Sequence, residues 1–150
     1  MKYIDGSVKP FGIWDRLLPG LHNAEVLPVL PDRVGKNWGK VPGTKDQPYE
    51  IDILGETASE LLVMECKWQN RPVNPSVGQA LLQKGEYLQD PRKKVYAIAS
   101  KSGFERGMDE RVIQVGLPEM EWALRLAKKI RNRGVSSIPV AERLFVQVRS

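Results

Sequence analysis

Two apolar segments separated by a short polar stretch restrict the fold of this chain more than any other feature. Residues 49–54 alternate, with Tyr49, Ile51 and Ile53 toward one side and Glu50, Asp52 and Leu54 toward the other. That is the period of a β-strand. Residues 61–68 form a second strand, and its opening, Leu61-Leu62-Val63-Met64, is apolar on both faces, as an interior strand requires. The polar turn 56–60 leaves the two close enough to pair as an antiparallel hairpin.

The first 48 residues are broken by Pro10, Pro19, Pro28, Pro31, Pro42 and Pro48 and by several glycines. Proline lacks a backbone donor and blocks helix continuation, so only short elements fit there. We expect a helical turn at 13–18, weak strands at 25–30 and 33–38, and a loop at 39–48. After the hairpin, Pro72 and Pro75 bound a loop. Ser76 is placed to cap a helix over 77–88, with Val77, Ala80, Leu81, Lys84 and Leu88 at helical spacing. Asp90-Pro91 stops it. Residues 94–99 read as a buried strand, 101–107 as a loop, and 119–131 as a second helix with Trp122, Leu126 and Ile130 on one stripe. In the tail from 136, residues 144–148 alternate like a strand, whereas 140–145 also suit a helix. The sum is one α/β domain with a small mixed sheet over residues 1–150. Its core spans about 33–104, between an irregular N-terminal segment (1–32) and a C-terminal helical extension (118–150).

Composition narrows the function classes. Hydrophobic residues make up 41% of the 150, enough for an ordinary core. No run approaches the ~20 apolar residues of a membrane span. The opening MKYIDGSVKP has no apolar signal-peptide core. Cys66 is the single cysteine, so no internal disulfide forms and a cytoplasmic setting is expected. The net charge of +5 admits a polyanionic partner without requiring one. His22 is the only histidine, which argues against a His-centred triad. No Walker-type loop is present, so ATP hydrolysis is not expected.

The chemistry concentrates on the hairpin. Glu50 and Asp52 share a strand face, as do Glu65 and Lys67. A register that joins these faces gathers three carboxylates and an ammonium. Such oxygen ligands suit Mg²⁺ or Mn²⁺, which polarises a phosphoryl oxygen. Lysine beside it orients the attacking water or offsets developing charge. The backbone carbonyl of Cys66 is a further candidate ligand. The competing explanation is a surface hairpin with ordinary charges, since Glu-x-Asp and Glu-x-Lys are each common. Against it, an interior strand ending in Glu-Cys-Lys buries charge at a cost unless that charge is paired or binds metal.

The segment YEIDILGETASELLVMECKW resembles the core of the PD-(D/E)XK nuclease superfamily, with Asp52 at its first acid, Glu65 at its second and Lys67 at its lysine. The spacing is similar to that of archaeal Holliday junction resolvases and Mrr-like restriction domains. A nearer resemblance is to the nuclease-like C-terminal domain of some archaeal and bacterial AAA-type ATPases. It rests on Val34-Gly35-Lys36-Asn37-Trp38, Glu50-Ile51-Asp52, Glu65-Cys66-Lys67-Trp68 and the turn 100–104, and it covers roughly 33–104. The resemblance implies a restriction-endonuclease-like three-layer α/β/α fold and Mg²⁺-dependent endonuclease-type hydrolysis, with DNA as substrate. Asp52 and Glu65 would be the metal ligands, joined by Glu50 and the Cys66 carbonyl. Lys67 would position the nucleophile, and Gln79 would sit near the scissile phosphate. Lys36, Lys101 and Ser102 are expected at the nucleic acid. A homodimer and an association with an AAA-type ATPase are expected partners. Two departures stand out: Ile51 replaces the motif proline, and the N-terminal acid that relatives supply has only Glu25, or less well Asp15, as a counterpart. The alternative from another class is a catalytically inactive nuclease-like domain that binds nucleic acid or a partner protein. Gln83 shares the helix with Gln79 and is the second choice for its role. Core packing is the expected role of Trp38 and Trp68, ahead of base stacking. The basic end of the last helix (Arg125, Lys128, Lys129, Arg131, Arg133) is expected to be favourable helix-terminus charge rather than a DNA contact.

Overall fold

A computed structural model of the protein describes residues 2–3 and 12–133, with only the backbone given for 2–3 and 127–133. The elements in chain order are β1 (Lys2–Tyr3), α1 (Trp14–Asn23), β2 (Arg33–Lys40), β3 (Pro48–Glu56), β4 (Glu60–Lys67), α2 (Pro75–Tyr87), β5 (Lys93–Ser100), β6 (Val112–Val115) and α3 (Leu117–Arg133). The strands form one mixed sheet in the order β1-β2-β3-β4-β5-β6. The first four pair antiparallel, and β4-β5 and β5-β6 are parallel.

Strand alternation sends side chains to two separate cores. Leu62 and Met64 of β4 and Val95, Ala97 and Ala99 of β5 pack against Leu17, Leu18 and Leu21 of α1 and Met120 and Ala123 of α3. Leu61, Val63, Tyr96 and Ile98 face the other way, onto Leu81 and Leu82 of α2. The apolar character of residues 61–64 on both faces is thus explained by helices on both sides. Each such fully buried Leu or Ile contributes about 1.5–3 kcal/mol relative to an exposed one. Helix α1 lies close enough to α3 that a Cβ at Gly20 would collide with the Ala123 backbone. Gly85 similarly admits the Tyr96 ring against α2.

Helix ends show local chemistry that the sequence reading only partly anticipated. The cap of α2 is Asn74 rather than Ser76: the Asn74 side chain accepts the Ser76 N–H at 2.8 Å, and Pro75 begins the helix where its missing donor costs nothing. The Glu119 carboxylate caps α3 by accepting the Gly116 N–H at 2.9 Å. Residues 25–30 are not a strand. They run irregularly, burying Leu27 and Val29, and the His22 ring contacts the Leu27 carbonyl oxygen at 3.1 Å. Strand β6 was not anticipated, because four residues are too few to show a period. The tail beyond 133 lies outside the described residues. Among the described residues no helix is long and apolar enough to cross a membrane.

Candidate active site

The sheet is continuous at one end and split at the other. Strands β3 and β4 pair from Ile53↔Met64 to Glu56↔Leu61 and no further. Beyond that point β3 stays with β2, through Ile51 and Glu50. β4 stays with β5, through Glu65, Cys66 and Lys67. The split coincides with a β-bulge: Gly35 pairs with Leu54 and Asn37 with Ile51, so Asp52 and Ile53 together oppose Lys36. A bulge adds a residue to one strand, bends it and re-aims a side chain. Here it puts Ile51 and Leu54 in the α2-side core and Ile53 in the opposite one. The simple alternation expected for residues 49–54 is therefore wrong beyond Ile51.

Asp52 bridges the split. Its Oδ2 accepts the Cys66 N–H at 2.9 Å, so a carboxylate takes the place of a ladder carbonyl. This brings Asp52 against the neighbouring Glu65, which is buried to 7% exposure. Burial pushes the Glu65 carboxyl above its ordinary range, and the Asp52 charge pushes it further, opposed by the Lys84 ammonium. Lys84 Nζ of α2 donates to Glu65 Oε2 at 3.1 Å and approaches Oε1 at 3.4 Å. Lys67 lies two residues beyond Glu65 on the regularly paired β4, hence on the same face. It has no ion pair among the described residues. The half-buried Cys66 thiol is pushed up to about 12 by burial, then by Asp52 and Glu65, which leaves it protonated and inert. Its carbonyl, expected as a ligand, belongs to the same residue whose N–H Asp52 holds.

Other expected members of the site lie elsewhere. Glu50 does not join Asp52. It is exposed and pairs with Lys36 at 3.3 Å, because the bulge separates the two side chains. Lys36, expected at nucleic acid, is thus engaged by Glu50. Gln79 does not face Glu65 either; its Nε2 approaches Asp109 Oδ2 at 3.4 Å. Helix α2 starts beside Met108 and Val112, near Gly78, and ends where Tyr87 meets Tyr49 at 5.3 Å between rings. Its oblique course puts Lys84, not Gln79, over β4. Gln83 lines a groove beside Lys84. Lys101 donates to Asn70 at 3.0 Å and Ser102 to the Gln69 carbonyl at 2.6 Å, both pinning the loop after β4. Glu25 is exposed with φ +62°. Asp15 lines a small cavity of about 240 Å³ with Trp14 and Arg33. Among the described residues no three Asp, Glu, His or Cys side chains gather at a metal-sized centre, so neither acid completes the pair. Trp38 and Trp68, expected in the core, are 40% and 62% exposed.

Residues 12–81 match a family model, DUF234, described as archaeal and bacterial proteins of unknown function. The match takes in a little under half of the chain, including Asp52, Glu65, Lys67 and Gln79, and stops short of Lys84. Neither a curated protein nor a solved structure matches the chain significantly.

Lys84 is the member of this cluster that the sequence reading missed. The signal was present: Lys84 falls on the helical stripe of Val77, Leu81 and Leu88 that meets the sheet. A lysine on a core-facing stripe needs a counter-charge, and the interior strand β4 carries one at Glu65.

Proposed function

We propose that this chain is a Mg²⁺-dependent phosphodiesterase of the PD-(D/E)XK nuclease type, acting on DNA, with Asp52 and Glu65 as metal ligands. The observation that carries the reading is the contact between two carboxylates where β3 and β4 part, with a lysine that has no ion pair among the described residues on Glu65's own strand face. The donor set fits a hard divalent cation: both groups offer only oxygen. Burial raises the Glu65 pKa first, and repulsion from Asp52 adds to it even beside Lys84; that repulsion is the field a doubly charged ion relieves. When bound, such an ion supplies charge that polarises a phosphoryl oxygen.

The remaining work falls to the chain. Asp52 is fixed by the Cys66 N–H, so its second oxygen keeps a constant direction. Lys67, a cation that cannot ligate metal while protonated, orients the incoming water and offsets charge growing on the phosphate. The exposed Trp68 and the loop held by Lys101 and Ser102 lie next to it along the chain, where a strand of nucleic acid would approach.

One observation favours a second reading. Lys84 satisfies Glu65 without a metal, as it would in a domain that binds nucleic acid or a protein without cutting. Calorimetric titration with Mn²⁺, beside a cleavage assay on duplex, branched and single-stranded DNA, separates the two. Cleavage with saturable Mn²⁺ binding supports the nuclease. Absence of both supports the non-cleaving domain.

A further inference from the structure

The ion pair of Lys84 with Glu65 lies inside the proposed site. The ammonium meets both oxygens of the carboxylate, at 3.1 and 3.4 Å, and these are the atoms a metal would need. The lysine side chain is 23% exposed and that of Glu65 is 9% exposed, so the contact is shielded from most of the solvent that weakens surface pairs. Lys84 also lines an open groove of about 640 Å³ with Tyr49, Glu50, Gln83 and Tyr87. Its head group therefore has a second place to go, out into this groove, without entering the core.

We propose that Lys84 is a resident counter-ion of the Asp52–Glu65 pair, competing with a divalent cation for Glu65 and turning into the groove when that cation binds. The inference rests on the reading of Asp52 and Glu65 as metal ligands. A buried and a half-buried carboxylate in contact repel, and a single ammonium offsets only part of that repulsion. A doubly charged ion offsets more, but it needs lone pairs that Lys84 now holds. Lys84 is thus a positioning residue. It keeps Glu65 aimed beside Asp52 in the free chain and sets the cation concentration at which the site fills.

The test is a calorimetric Mn²⁺ titration at about pH 8, where ordinary carboxylates are ionised, on the full chain and on Lys84→Met, Lys84→Gln and Lys84→Arg. Thermal melts with and without Mn²⁺ accompany it. The neutral variants are expected to bind Mn²⁺ about tenfold more tightly than the parent, since a unit charge within hydrogen-bonding reach has been removed. Lys84→Arg keeps the charge and is expected to bind like the parent. A merely structural lysine would shift the metal-free melting temperature and leave the affinity alone. Equal affinity in the parent and both neutral variants overturns the proposal while leaving the metal site standing. No Mn²⁺ binding by the parent or either neutral variant overturns the metal site itself, and the counter-ion role with it.

Discussion

At the hairpin end of β3 and β4, Arg92 donates to Glu56 at 2.8 Å, to Asp90 through two nitrogens, and to the Thr57 carbonyl at 3.0 Å. At the split end of the same strands, Asp52 and Glu65 set two carboxylates side by side with one ammonium between sheet and helix. The first end alternates sign. Arg33 adds a further cation near Glu56 at 3.7 Å, and hydrogen bonds from Arg92 hold the Asp90 carboxyl down at about 2. The second end concentrates like charge, with the Glu65 carboxylate largely removed from water. Equal strand chemistry thus serves two purposes: one terminus of the pair fastens the fold, and the other stores an electrostatic demand that a ligand can meet.

The sharpest way to break this contrast is Asp52→Asn. The amide oxygen can still accept the Cys66 N–H, and the like-charge contact with Glu65 disappears, so unfolding by urea should show stability kept or raised. Mn²⁺ affinity should fall at least about 100-fold, because even outer partners of metal ligands cost about 10–100-fold, and cleavage should vanish. An unstable variant with intact affinity would mean that the split end is a fastening too. Next comes Lys67→Ala. Single-turnover cleavage should slow by about 10²–10³, the usual cost of a preorganised electrostatic partner, while calorimetry finds Mn²⁺ binding nearly unchanged. A variant that cuts at the parent's rate would remove Lys67 from its assigned role.

The opposite end predicts the reverse pattern. Arg92→Met strips the hub from two partly buried carboxylates and a carbonyl, which should cost on the order of 1–3 kcal/mol in urea unfolding and leave Mn²⁺ affinity untouched. A change in affinity there would show the two ends to be coupled. The smallest effect is in pH dependence. Asp90 has a lowered folded pKa, so its contribution is present above its ordinary 3.8 and is lost as pH falls toward about 2. Glu65 has a raised one, so its contribution is present below its ordinary 4.5 and is lost as pH rises through the folded value. Unfolding free energies of Glu65→Gln and parent, compared from pH 4.5 upward, should diverge in favour of the variant. Parallel curves would place Glu65 at an unshifted pKa.

Much of this architecture was legible in the residues. Val63 between Leu62 and Met64 demands cover on both faces, and the parallel crossover through α2 follows from helix 77–88 standing between two apolar strands. The adjacency of Asp52 and Glu65 followed from the hairpin. What escaped was anything that depends on irregular backbone or on the angle between layers. The bulge opposite Lys36 leaves no mark in composition, yet it removes Glu50 from the site. Helix α2 packs closely on Met108 at Gly78 and on the Tyr96 ring at Gly85, and it brings Lys84 rather than Gln79 to Glu65. Trp38 and Trp68 are expected inside because aromatic bulk usually is; Trp38 instead lies on β2 and Trp68 just past the end of β4, both exposed.

The extra residue in β3 works on the strand as a frameshift works on a message. Side chains before it are read in one phase and those after it in the other, and Asp52 sits at the junction. Removing one residue there would restore the phase, let the ladder close past Ile53, and turn the cleft into seamless sheet. The product would be a tidier hairpin that had lost its pair of acids, so a gap at this position in a homologue would be the cheapest mark of a domain without the proposed site.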